Sequence, residues 1–163
     1  AFDVRKATWQ SLLAGAKMGI TYGAHGIWSG HRRGMNFLNA ARSFEPFAWD
    51  EALLLDGAWD VGFAKYIFET YGLFGAEPVP LVRSEDPEIR AAATPGHDTL
   101  AIYSPYAFDT ELDIDLTGYR CVLFDLASRR VMQPAVQAGP RSRLAMPGFN
   151  GDTLFIATRE PHG

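Results

Sequence analysis

The spacing of hydrophobic and polar positions changes character near Glu77-Pro78: apolar residues recur with a helical period before it and alternate in short runs after it. Asp3 reads as the N-cap of a helix running to about Ala16. Val4, Ala7, Thr8, Leu12 and Ala16 form its apolar face, and Trp9 and Leu13 widen it. The stretch "MGITYG" then reads as a short buried strand, β-branched and aromatic residues bounded by glycines. A long irregular segment, roughly Ala24 to Leu55, carries His25, Trp28, His31, Phe47 and Trp49; its aromatic content argues for a functional loop over a disordered one. Asp56 caps a second helix reaching about Tyr71, with Trp59, Phe63, Ile67 and Tyr71 in register and Gly72 as its stop.

Beyond the proline-rich joint "EPVPLV", seven strand-like runs are read: Ile89–Thr94, Thr99–Ser104, Glu111–Leu116, Arg120–Asp125, Arg130–Val136, Arg143–Met146 and Thr153–Thr158. "TPGHD", "DLASRR" and "PGFNGD" supply turn chemistry between them. In "LDIDL", Leu112, Ile114 and Leu116 point inward and Asp113 and Asp115 outward. Short strands at this spacing predict an antiparallel β-sandwich. The expected domains are therefore residues 1–76, helical with one strand, and residues 77–163, all β. Helix, strand, helix is one unit of a parallel α/β architecture, and a single unit cannot close a sheet.

Composition narrows the classes. With 47% hydrophobic and 21% charged residues the chain can bury a core. A net charge of −4, spread out, gives no footprint for nucleic acid. No apolar run approaches the ~20 residues of a membrane-spanning helix. The four histidines, His25, His31, His97 and His162, lack ligand-like spacing, so neither a metal nor another cofactor is expected. The lone Cys121, in the apolar run "YRCVLFD", reads as core. Gly19, Gly23, Gly26 and Gly30 do not fit a dinucleotide or phosphate loop.

The segment "VRKATWQSLLAGAKMGITYGAHGIW", a capped helix after it, and "AAATPGHDTLAIYSPYAFDTELDIDL" together resemble the C-terminal part of the apiosidase-like glycoside hydrolases. The resemblance implies the last elements of a (β/α)8 TIM barrel followed by an antiparallel β-sandwich. It also implies a carbohydrate substrate, cleavage of glycosidic bonds, and a periplasmic or extracellular setting. The paired carboxylates of the family would lie upstream of Ala1, so no catalytic residue is assigned in this chain, and Glu45, Asp50 and Glu51 are not promoted in their place. Either the preceding barrel segment or another chain would then complete the barrel.

In a barrel, the C-terminal end of a strand faces the active site. That places Tyr22, His25 and Trp28 as candidate substrate-binding residues, and Trp49 in "EPFAWDEA" reads as a further sugar subsite: a Trp face suits the C–H surface of a sugar, and Tyr and His tips suit its hydroxyls. The alternatives are that Tyr22 packs in the barrel, Trp28 anchors the loop, His25 bonds a backbone carbonyl, and Trp49 pins the long loop. "SGHRRGMNF" reads either as a cationic lip of His31, Arg32 and Arg33 for an acidic sugar or as a solvated, flexible loop. The rival reading of the whole chain is a non-catalytic carbohydrate-binding or interaction module, with Tyr103, Tyr106 and Phe108 as its surface aromatics.

Overall fold

The computed structural model describes residues 1–37, 44–146 and 151–159. Part of the long loop, residues 38–43, lies outside these, as do residues 147–150 of the "PGFNGD" turn and His162. Among the described residues four α-helices precede nine strands: α1 (Phe2–Leu13), α2 (His25–Trp28), α3 (Trp49–Ala52), α4 (Asp56–Thr70), β1 (Glu77–Pro78), β2 (Arg90–Ala93), β3 (Thr99–Ser104), β4 (Thr110–Leu112), β5 (Tyr119–Asp125), β6 (Arg130–Met132), β7 (Ala135–Gln137), β8 (Ser142–Ala145) and β9 (Thr153–Arg159).

The strands form two antiparallel sheets. One has six strands in the order β1-β2-β3-β9-β5-β6; the other has three, in the order β4-β8-β7. β9 lies at the centre of the larger sheet, pairing Leu100 with Ala157 on one side and Leu123 with Phe155 on the other. The two faces of this sheet are buried by different partners, and the period-two alternation of side chains divides its residues between them. Leu100, Ile102, Cys121, Leu123, Phe155 and Ala157 meet Leu112 and Leu144 of the smaller sheet. Ala101, Tyr103, Phe124, Leu154 and Ile156 instead meet Trp9 and Leu13 of α1 and Ala64 and Ile67 of α4. Double coverage explains why β3 is buried at every position, where a one-sided sheet would alternate.

Several elements depart from the sequence reading. "MGITYG" is extended but is not a strand, and it is not buried: Met18 is fully exposed, at 101% relative accessibility, and Ile20 only half-covered. Among the described residues no backbone–backbone hydrogen bond involves residues 20–23, because no strand lies beside them. Helix α1 begins after Ala1 and ends at Leu13, with Gly15 at φ +94° turning the chain away. Its buried residues are Arg5, Thr8, Trp9 and Leu13: Thr8, Trp9 and Leu13 belong to the expected face, Arg5 is an addition, Val4 and Leu12 are half-buried, and Ala7 and Ala16 are exposed. Trp59 of α4 is exposed, whereas Ile67 is buried as read and Gly72 ends the helix in the left-handed region, at φ +62°. The run Arg130–Val136 is two strands in two sheets: Pro134, which has no N–H to donate, separates β6 from β7. "EPVPLV" contributes β1 at the sheet edge.

The junction of helices and sheet contains a charged cluster. Arg5 donates Nε and Nη2 to the Asp152 carboxylate at 2.9 and 2.8 Å, and its Nη1 lies 3.4 Å from Asp60 Oδ2. Arg129 completes the cluster from the β5–β6 turn, donating to Asp60 Oδ1 at 2.9 Å. The Asp152 hydrogen bond is the main reason the Arg5 guanidinium is held above its usual pKa.

Candidate functional site

The functional candidates gather where α2 and α3 pack together after the extended segment. Ala24, in extended conformation, starts α2, and its carbonyl accepts the N–H groups of Ile27 and Trp28. A single helical turn places residues three apart on one side. The His25 and Trp28 rings accordingly stack face to face, with centroids 4.3 Å apart and planes 3° apart. Trp28 leaves 63% of its surface exposed, so its second face is open. Among the described residues the buried His25 Nε2 has no hydrogen-bond partner, so no backbone carbonyl among them accepts from it. The ring of Phe37 presents its edge to both His25 and His31.

Helices α2 and α3 touch through a glycine. A Cβ on Gly26 would sit 2.2 Å from the Phe47 carbonyl oxygen and 3.1 Å from Ala52 Cβ, so only glycine permits this approach. Trp49, the first residue of α3, donates its N–H to the His31 carbonyl at 2.9 Å. Its side chain is 44% exposed. Among the described residues the Trp28 and Trp49 rings are not stacked on each other; they stand on adjoining turns. Tyr22 goes elsewhere: it packs against Gly57 in the first turn of α4, where a Cβ would come within 2.7 Å of its ring. Gly23 comes close to the edge of Trp28, since a Cβ on it would lie 3.8 Å from Trp28 Cδ1.

The "SGHRRGMNF" segment is largely exposed, as the solvated-loop reading expects, but it is anchored at His31. His31 is 2% exposed, held by backbone bonds to α2 and α3 and by Glu45, and Arg33 donates to Glu51 at 2.8 Å. Glu51 also accepts the Ala48 N–H at 3.0 Å, capping α3. Of the three residues of the cationic-lip reading, His31 is interior, Arg33 is paired with Glu51, and Arg32 is exposed. Glu45 accepts the Gly34 N–H at 2.8 Å, and this bond together with His31 holds its carboxyl below the usual range. Sequence spacing gave no sign of the His31–Glu45 pair, whose members are fourteen positions apart across a loop.

Of the three aromatics of the rival reading, one is interior. Tyr103 is 0% exposed, turned toward the helices, because its position in β3 alternates onto that face. Tyr106 is exposed and its ring lies 5.4 Å from that of the partly buried Phe108. Cys121 is buried in the sheet, and burial pushes its thiol up to about 11. Among the described residues no group of three His, Cys, Asp or Glu side chains is arranged to hold a metal ion, and no helix is long and apolar enough to cross a membrane.

This arrangement of helices on a doubly covered antiparallel sheet is similar to part of two solved structures. One, described as a glycoside hydrolase, superposes with a TM-score of 0.80 at 18% identity, covering 99% of this chain and 37% of its own length. Another, a glycoside hydrolase family 5 protein from Bacteroides vulgatus ATCC 8482, superposes with a TM-score of 0.78 at 17% identity, covering 97% of this chain and 36% of its own. The chain thus spans little more than a third of the length of these structures. Residues 1–75 match the family model described as "Apiosidase-like, catalytic domain". The resemblance to the apiosidase-like glycoside hydrolases therefore holds over the segment that carries α1 to α4. No curated protein matches the chain.

Proposed function

We propose that this chain is the closing segment of a barrel-type glycoside hydrolase. Residues 1–76 supply the last barrel elements, and residues 77–163 form an appended antiparallel sandwich. Residues 20–23 are the barrel strand, lying between α1 and α4. The observation that carries this reading is the extended segment itself. It has the β-branched and aromatic sequence of a strand and two flanking helices, yet its backbone groups have no ladder to join among the described residues. Backbone donors and acceptors in a folded protein find partners, and strands on either side would provide them. The exposed side chains of Met18, Trp28, Phe47, Trp49 and Leu54 around it supply apolar surface for the same neighbours and for substrate.

On this reading Trp28 offers its open face to the C–H surface of a carbohydrate and His25 a ring nitrogen to a hydroxyl, with Trp49 on the adjoining turn and Tyr22 supporting the strand end. The catalytic carboxylates belong to the rest of the barrel, at the separation of about 5–5.5 Å for retention or the wider one for inversion. The isolated 163-residue chain is then expected to turn over no aryl glycoside. In the barrel-completed protein, Trp28→Ala and His25→Ala are each expected to lower kcat/KM by at least about tenfold, the loss of roughly 1.4 kcal/mol of transition-state binding. Unchanged kcat/KM in both variants, or turnover by the isolated chain, would overturn the reading.

A further inference from the structure

The two turns that carry Trp28 and Trp49 are joined by one interior histidine. The His31 N–H donates to the Gly26 carbonyl of α2 at 2.9 Å, and the His31 carbonyl accepts the Trp49 N–H of α3 at 2.9 Å. Its Nε2 lies 3.2 Å from Glu45 Oε1, the oxygen that also accepts the Gly34 N–H. Phe37 closes the other side of the ring at 5.7 Å, edge to face. Arg33 and Glu51, on the same segment and on α3, are paired with each other, and Arg32 and Asp50 stand exposed beside His31 and Trp49. A polar ring at this depth is costly unless it is paired. An apolar side chain would cover the junction as well, so the position uses imidazole for its directional bond.

We propose that the His31–Glu45 pair is the positioning element of the substrate face. It fixes the rotation of the His31 ring and the seat of the loop between α2 and α3, and so sets where the Trp28 and Trp49 rings stand relative to one carbohydrate. His31 touches no substrate; it acts through the backbone of both turns. The proposal rests on the reading of Trp28 and Trp49 as substrate-facing.

The test has two arms. In the first, the 163-residue chain is labelled with 5-fluorotryptophan, and the fluorine resonances of Trp9, Trp28, Trp49 and Trp59 are assigned by single substitution. His31→Leu is expected to shift Trp28 and Trp49 and to leave Trp9 and Trp59 in place. His31→Gln, which keeps a donor toward Glu45, is expected to restore both. Glu45→Ala, at a side chain that does not fill the core, is expected to give the same pair of shifts and keeps the test alive if His31→Leu fails to fold. Unmoved Trp28 and Trp49 resonances in Glu45→Ala, or shifts in His31→Leu that glutamine does not reverse, would overturn the proposal.

The second arm uses the barrel-completed protein. Glu45→Ala is expected to raise KM by about tenfold and change kcat by less than about twofold, the pattern of lost binding geometry with intact chemistry. Fluorine shifts with an unchanged KM would overturn the proposal while leaving the barrel reading intact. If Trp28→Ala itself leaves kcat/KM unchanged, the failure lies with the substrate-facing reading beneath it.

Discussion

Asp152→Ala is expected to lower the unfolding free energy by about 3–5 kcal/mol, the cost of leaving a buried charge without its partner. Asp152 is wholly inaccessible and accepts two hydrogen bonds from the nearly buried Arg5. Removing it leaves the guanidinium at the helix–sheet junction with Asp60 alone, at 3.4 Å and already engaged by Arg129. The measurement is equilibrium urea unfolding with an unchanged m-value. Lys65→Ala, which removes an exposed pair with Glu69 on α4, is the control and is expected to change little. A loss below about 1 kcal/mol for Asp152→Ala would mean that the charge is solvated in solution and the junction is open.

The second large effect is apolar and lies at the same junction. Trp9→Ala is expected to cost about 3–5 kcal/mol, from lost transfer energy and the cavity left behind. Trp9 is buried between α1, α4 and the larger sheet, with the Phe68 ring at 5.8 Å. Thermal unfolding followed by helix and sheet signals is expected to shift in one transition, because the same apolar cluster holds residues of both. Trp59→Ala, at an exposed position of α4, is expected to stay within about 0.5 kcal/mol of the parent. A Trp9→Ala variant that melts its helices first and leaves the sheet transition in place would contradict the shared core.

These two residues also show where the sequence could be read and where it could not. Most strands of the larger sheet were legible, Thr99–Ser104 to the residue, because β-branched and apolar runs between turn residues locate strands whatever covers them. The buried face of α1 was legible in part: Thr8, Trp9 and Leu13 lie on the expected apolar face, but Val4 and Ala7 are not buried and Arg5 is. Its burial is offset by Asp152, 147 positions away, and no local pattern carries that pairing. The break at Pro134 was visible as a proline, but the change of sheet it permits was not. Tyr103 was taken for a surface aromatic on a one-sided sheet, whereas helices cover the second face and alternation turns its ring toward them.

At the candidate site the sequence pointed to Tyr22, His25, Trp28 and Trp49 but not to their arrangement. The three-residue spacing of His25 and Trp28 contained their stacking once the turn was helical, although the segment was read as irregular. The burial of His31 depends on the close approach at Gly26, a tertiary contact with Phe47 and Ala52 that spacing does not encode. "MGITYG" is the most informative departure. Its composition says strand, and its backbone has no backbone partner among the described residues. Local preference and tertiary context disagree there, and the proposed barrel is what would reconcile them.

The most direct test is amide hydrogen exchange at Ile20, Thr21 and Tyr22, compared between this chain and the barrel-completed polypeptide. The account predicts near-unprotected exchange in the chain alone and strong protection once neighbouring strands flank the segment. Equally fast exchange in both would show that the segment joins no sheet, and the proposed place of this chain in a barrel would be wrong.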